Sequence, residues 1–110
     1  MTTIAKMMSE GTQLTGVAAT YYTCPVGTKA IIKALTLTNT TALPIACTVY
    51  IVASAGTASA ANTIISAVNI AVGTTYNCPE AVNHVLAAGD FIQAFGLNVS
   101  IRISGIETTS

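Results

Sequence analysis

Charge is scarce in this sequence, and its scarcity removes several classes of function. Only 7% of the 110 residues are charged, against about 25% in ordinary soluble domains. Four basic residues balance four acidic ones, so the formal net charge is zero. Nucleic-acid binding draws most of its affinity from Lys and Arg on phosphates, so we do not expect nucleic acid as a partner. Steering of a charged substrate is disfavoured for the same reason.

Groups that carry catalysis or hold metals are equally scarce. His84 is the single histidine, and no serine or cysteine that it could activate stands near it in sequence. Cys24, Cys47 and Cys78 are far apart and form no Cys-x-x-Cys pair, whereas structural zinc requires clustered ligands. The sequence therefore predicts no catalytic residue, no metal site, no cofactor and no enzyme. We expect three buried thiols in a reducing compartment.

No segment qualifies as a membrane span or a secretion signal. The run between Lys33 and Glu80 contains no charge, but polar residues interrupt it every few positions. A spanning helix needs about 20 predominantly apolar residues. After Met1 the chain reads TTIAKMMSEG, which contains no apolar signal core. We therefore expect a soluble protein that is made in the cytosol and has no membrane partner.

Strand signals are abundant: short alternating segments are separated by turns rich in Gly, Pro and Asn. Residues 28–39 (TKAIIKALTLTN) place Ile31, Lys33, Leu35 and Leu37 on one face, which is the expected core side. Other alternating segments are residues 45–53, 63–72, 91–95 and 99–106.

This pattern predicts one all-β domain at residues 13–110. About seven to eight short strands are typical of a single β-sandwich, jelly-roll-like or immunoglobulin-like, and the alternation leaves the strand order open.

The first twelve residues differ in composition from the rest and are interpreted as an extended N-terminal arm, residues 1–12, that docks on a neighbour. Ile4, Met7 and Met8 stand at near-helical spacing there, and Met adapts well to contact surfaces. Aromatic side chains are further candidates, because large rigid side chains often anchor interfaces. Phe91 and Phe95 share one strand face. The predicted partner-contact residues are Ile4, Met7, Met8, Tyr21, Tyr22, Phe91 and Phe95.

Several segments resemble small proteins encoded among the virion genes of tailed bacteriophages. Residues 24–33 (CPVGTKAIIK) are similar to an early strand of those proteins, and residues 36–40 (TLTNT) to the end of that strand. Residues 83–92 (NHVLAAGDFI) and 102–107 (RISGIE) resemble their last two strands. The turn LAAGD at residues 86–90 also resembles a turn of trimeric jelly rolls of the tumour-necrosis-factor kind.

The resemblance, which covers about residues 24–107, implies a structural role in a virion. It leads us to expect a capsid decoration (cement) protein on the capsid surface, made in the host cytoplasm. Such a protein would form a homo-oligomer, a trimer, and bind the phage major capsid protein or another virion protein. The alternatives are a tail, collar or fibre component, a host-surface-binding module and, ranked last, a small hydrolase that uses His84.

Overall fold

A computed structural model describes residues 2–109, except the side chains of Thr2 and Glu10, and contains nine strands in two antiparallel sheets. The strands are β1 (Thr2–Gln13), β2 (Ala19–Thr23), β3 (Thr28–Asn39), β4 (Ile45–Val52), β5 (Thr63–Ile70), β6 (Thr75–Tyr76), β7 (Val85–Leu86), β8 (Phe91–Phe95) and β9 (Val99–Thr109). A short 3-10 turn, Ala60–Asn62, precedes β5. No helix in the described range is long and apolar enough to cross a membrane.

The strands pair in a nested order. Sheet A runs β1-β9-β3-β6, with β7 also paired to β3, and sheet B runs β2-β8-β4-β5. The outermost strands of the chain therefore pair with each other, and each inner pair follows in turn down to the β4–β5 hairpin. An antiparallel ribbon wrapped in this way is a jelly roll. The predicted all-β sandwich is confirmed, and the pairing decides its strand order.

The N-terminal segment is the edge strand of sheet A. Thr2 to Met7 pair in register with Thr109 to Ser104 of β9. The near-helical spacing of Ile4, Met7 and Met8 produces no helix, because the backbone of this segment bonds to β9. This strand and the two-residue strands β6 and β7 raise the number within residues 2–109 above the expected seven to eight. Docking of this segment on a neighbour stays a prediction.

The core fills the space between the two sheets. Its largest side chains are aliphatic and fully buried: Leu14, Ile32, Leu35, Leu37, Leu86, Ile92, Ile101 and Ile103. Each buried Leu or Ile contributes roughly 1.5–3 kcal/mol relative to an exposed position. The core therefore supplies most of the stabilisation that positions the two outer faces.

A bulge in β3 limits what simple alternation predicts. Leu35 and Leu37 are buried as expected, but Lys33 is exposed and Ile31 is only half-buried, whereas Ile32 is fully buried. The register with β9 shifts between Ile32 and Ala34. One extra residue reverses the alternation, because side chains change face at every residue of a strand.

Gly105 of β9 lies between residues of its two neighbouring strands, Met8 of β1 and Ile31 of β3. A Cβ at this position would overlap the carbonyl oxygen of Ile31 and the Cε of Met8. The absent side chain therefore leaves the space into which Met8 packs from the edge strand.

We predict that Gly105→Ala lowers the free energy of unfolding by about 1–3 kcal/mol, because backbone and a packed methionine must both move. Gly16→Ala is the control, since its added Cβ meets nothing within 4 Å. Urea unfolding followed by circular dichroism measures both. Equal stabilities for the two variants would contradict the packing described for Gly105.

Candidate interaction surfaces

The predicted contact residues divide into two groups. Met8 and Tyr22 are 8% and 6% exposed and belong to the core, so they offer little surface to a partner. Ile4 and Met7 are 54% and 46% exposed on the edge strand. The half-buried residues are Tyr21, Phe91 and Phe95.

Seven of the eight charged residues belong to the strands of sheet A or to the connection between β6 and β7. None of the described strands of sheet B contains Asp, Glu, Lys or Arg. The strands of sheet A carry six charged residues, and Glu80 lies in the connection between β6 and β7. The eighth, Asp90, lies in the turn that leads into β8 of sheet B, where its carboxylate accepts the Ser54 N–H at 3.0 Å. Covering the outside of sheet B therefore removes no strand charge from water, which avoids the large penalty of burying an unpaired ion.

The outer side of sheet B, here called the aromatic face, has an aromatic centre. Tyr50 of β4 pairs with Gln93 of β8, and Phe91 and Phe95 lie two residues to either side of Gln93 on the same face, as alternation predicts. The rings of Tyr50 and Phe95 are 6.2 Å apart with an interplanar angle of 32°. Both strands are central in the sheet.

Hydroxyl groups surround this centre. Thr20 and Thr23 of the edge strand β2 pair with Gln93 and Phe91, and Thr63 of the opposite edge strand pairs with Tyr50. The Gln93 amide Nε2 donates a hydrogen bond to Thr20 Oγ1 at 3.0 Å. The aromatic face is therefore defined by Thr20, Thr23, Tyr50, Thr63, Phe91, Gln93 and Phe95.

A second uncharged surface lies at one end of the sandwich. Because the strands are antiparallel, the loops 14–18, 40–44, 71–74 and 96–98 meet at this end, and none contains a charged residue. We call it the uncharged loop end. Each loop exposes one large aliphatic side chain: Val17 (74%), Leu43 (68%), Val72 (48%) and Leu97 (56%). A shallow cavity of about 200 Å³ lies between loops 40–44 and 96–98, bordered by Leu43, Ile45 and Leu97.

Asn39 holds these loops in place. It is fully buried, and its amide nitrogen donates to the carbonyl oxygens of Leu43 and Ile70 at 2.8 and 2.9 Å. Its Oδ1 accepts the backbone N–H of Thr41 at 2.9 Å. Gly73 N–H donates to the Asn39 carbonyl at 2.9 Å. The exposed aliphatic side chains of two loops are thus presented from a hydrogen-bonded frame.

One polar cluster joins the two sheets and was not anticipated from the sequence. The Tyr22 hydroxyl of sheet B donates to Glu107 Oε2 of sheet A, and Lys6 Nζ lies 3.4 Å from the same oxygen. Burial raises the pKa of Tyr22, and its hydrogen bond to Glu107 raises it further. The hydrogen bond from Tyr22 to Glu107 joins the two sheets, and we call it the Tyr22 clamp. The sequence did contain an indication of this position. Glu107 stands an even number of residues after Ile101 and Ile103 in β9, so alternation places it on the same inward side.

The groups considered for catalysis or metal binding do not gather. His84 is exposed in the connection before β7, where its carbonyl oxygen accepts the Ile32 N–H at 3.0 Å. Among the side chains that the structure describes, no three His, Cys, Asp or Glu residues are placed to hold a metal ion.

The three cysteines are free thiols inside the sandwich. Cys24 is 1% exposed, and Cys47 and Cys78 are fully buried. Burial raises the pKa of Cys47 to about 11 and that of Cys78 to about 12. It raises the pKa of Cys24 as well. Buried, protonated thiols agree with the interpretation of the sequence.

Comparison with known proteins identifies the fold. No protein-family model and no curated protein matches the chain. A protein of Bacillus endospore appendages, which form a novel family of disulfide-linked pili, aligns with a TM-score of 0.59 at 15% identity. That alignment covers 98% of this chain and 88% of the other.

Two viral structures align as well. A chain of infectious bursal disease virus strain Gt gives a TM-score of 0.50 at 14% identity, and a chain of the cyanophage Pam1 capsid gives 0.46 at 20%. The alignments cover 96% and 98% of this chain, but 32% of the bursal disease virus chain and 85% of the Pam1 chain. At these identities, the appendage protein and the bursal disease virus chain show a shared fold.

The Tyr22 clamp predicts a specific response to alkali. The raised pKa means that the folded state holds the phenolic proton more tightly than the unfolded chain does, whose pKa is about 10. The clamp therefore stabilises fully below about pH 10, and its contribution is lost as pH rises above that value. Tyr22→Phe should lower the free energy of unfolding by about 1–3 kcal/mol at pH 7, and by progressively less above pH 10.

Denaturant unfolding at pH 7 to 11 measures this difference. Tyr21→Phe is the control at pH 7, since the Tyr21 hydroxyl makes no side-chain hydrogen bond with the described residues and its loss should change stability little. A gap between Tyr22→Phe and the parent that stays constant or widens above pH 10 would show that the clamp is absent.

The thiols are predicted to be inert in the folded protein. A pKa of about 11 leaves on the order of one Cys47 in a thousand as thiolate at pH 8, and burial blocks access to it. A disulfide-exchange reagent such as DTNB should label the native chain only as fast as it unfolds, but label three thiols at once in denaturant. Rapid labelling of any cysteine under native conditions would refute this.

Proposed function

We propose that the chain is a structural subunit of a tailed-phage virion, a capsid decoration (cement) protein. It self-associates, as a trimer, and binds at junctions between capsid subunits. The observation that carries the proposal is the separation of charge described above. The strands of sheet B and the uncharged loop end contain no ion to desolvate, while charged strands and loops keep the remaining surface hydrated.

An uncharged contact with a capsid shell would be insensitive to salt. An interface that rests on ion pairs weakens as salt rises, because exposed charges are screened within about 10 Å at 0.1 M. Burial of aliphatic groups is not screened and contributes about 25 cal/mol per Å². We assign the contact with the shell to the uncharged loop end, whose four exposed aliphatic side chains stand on separate loops.

Heads assembled with and without this chain provide the test. Purified chain added to heads that lack it should bind saturably, resist about 1 M salt, and raise the temperature at which the heads release their DNA. Sedimentation with the heads and cryo-electron microscopy measure occupancy and position. No binding to heads would refute the decoration role, and binding to tails alone would favour the second candidate below.

The position of the shell contact can be tested by making the same substitution, valine to glutamate, at each end of the sandwich. Val17→Glu places a carboxylate on the uncharged loop end, and Val26→Glu places it at the opposite end, where Val26 is 95% exposed. Because both side chains are exposed, both variants should fold normally. We expect Val17→Glu to weaken binding to heads at least tenfold and Val26→Glu to leave it nearly unchanged. The reverse order would place the contact at the other end.

One observation favours a second candidate, a component of a tail, collar or fibre. The fold likeness to the spore-appendage protein extends over 98% of this chain and 88% of that one. Any such assembly of this chain would have to be non-covalent, because its three cysteines are buried and are not available for disulfides between subunits.

A further inference from the structure

We infer that the aromatic face is where a second copy of this chain binds. The inference rests on the self-association included in the proposed function and names its surface. Around a threefold axis, each copy would turn this face toward the axis and contact its two neighbours with different parts of it, which leaves the uncharged loop end free for the shell.

The aromatic face has the anatomy of a protein interface. Specific interfaces place aromatic residues at a centre that excludes water, surround them with a polar rim, and keep charge out of the centre. Here Tyr50, Phe91 and Phe95 occupy the two central strands, and threonines occupy both edge strands. Gln93, between the two phenylalanines, already has its amide nitrogen bonded to Thr20 at 3.0 Å. The centre can therefore be covered without leaving that donor unpaired.

The absence of charge on its strands makes another copy a suitable occupant of this face. A surface without charge can meet the same surface of a second molecule with no like-charge repulsion and no ion to desolvate. The outer side of sheet A cannot, because it exposes Arg102 and Lys29, as well as Lys33 at the β3 bulge. Between its two sheet faces, the chain can pack only the aromatic face against itself at low electrostatic cost.

Edge-to-edge pairing is disfavoured by the edges themselves. The pairings of β2 and β5 contain register shifts, and such bulges blunt an edge against strand addition. The edge strand β1 has register shifts after Met7 and carries the charged Lys6 within its regular part. The free side of β3 is covered by β6, β7 and the turn between them, through bonds such as Asn83 N–H to the Ile32 carbonyl at 2.6 Å. Association through a face remains the accessible geometry.

The size of the face sets the expected strength. Four strands of five to eight residues, spaced about 4.8 Å apart with a rise of about 3.4 Å per residue, give roughly 400–500 Å² per copy. Two copies would bury at most about 900 Å² in total, which is less than the roughly 1,200 Å² at which stable specific interfaces begin. Association in solution should therefore depend on concentration.

The two glutamines of the chain, Gln13 and Gln93, provide a matched test. Gln93→Glu places a carboxylate at the centre of the aromatic face with almost no change in shape, and the Thr20 hydroxyl can still donate to it. Gln13→Glu adds the same charge on β1 of sheet A, where Gln13 is exposed. Sedimentation equilibrium of the full chain and both variants, from micromolar to millimolar concentration, measures association, and thermal unfolding verifies the fold.

We expect the parent and Gln13→Glu to associate equally and Gln93→Glu to associate at least tenfold more weakly, with unchanged unfolding temperatures. A parent that stays monomeric at millimolar concentration, or a Gln93→Glu variant that associates like the parent, would overturn the inference. Binding to heads is measured separately. A monomer that still binds heads would contradict this inference and the proposed trimer but not the decoration role, whereas a self-associating chain that ignores heads would contradict the decoration role alone.

Discussion

The pairing of β9 with both β1 and β3 is the interaction on which the rest of the structure depends. Residues 2–13 and 28–39 lie far apart in sequence, and each binds along nearly the whole of residues 99–109. This double pairing closes the outermost turn of the jelly-roll ribbon. It brings Lys6 beside Glu107 and aims that carboxylate at Tyr22 of the other sheet. It also creates the narrow site that only Gly105 can occupy.

The alternation of apolar and polar residues predicted where strands lie more accurately than which side of each strand is buried. The bounds of β3 and β8 follow from alternation and turn residues, and the aromatic pair Phe91 and Phe95 lies on one face as expected. The bulge at Lys33 could not be predicted from β3 alone, because it depends on the register in which β3 pairs with β9. For the same reason, nothing in the sequence of the first twelve residues indicates that they pair with β9. The aromatic face needed the strand order before Tyr50 could be placed beside Phe95.

Low charge becomes informative only when it is mapped onto the sheets. If the eight charged residues were spread evenly, all surfaces of the molecule would be weakly hydrated, and charge would not distinguish one surface from another. Seven of them belong to sheet A or to the connection between β6 and β7, and Asp90 lies at the end of sheet B opposite the uncharged loop end, so the strands of sheet B and the apolar loop end can be buried without burying a charge. The buried Asn39 and its partners fix the loop end, so the chain presents its uncharged surfaces in a set geometry before any partner arrives.

The central place of β9 has a consequence for synthesis. A ribosome makes this strand after all the others, yet sheet A has no middle until it emerges, because β1 and β3 do not pair with each other. During translation the earlier strands therefore wait as an incomplete sandwich, and the chain acquires its fold only after residue 109 has left the exit tunnel. A chain interrupted before β9 would lack the strand that joins β1 to β3, so its sheet A could not form.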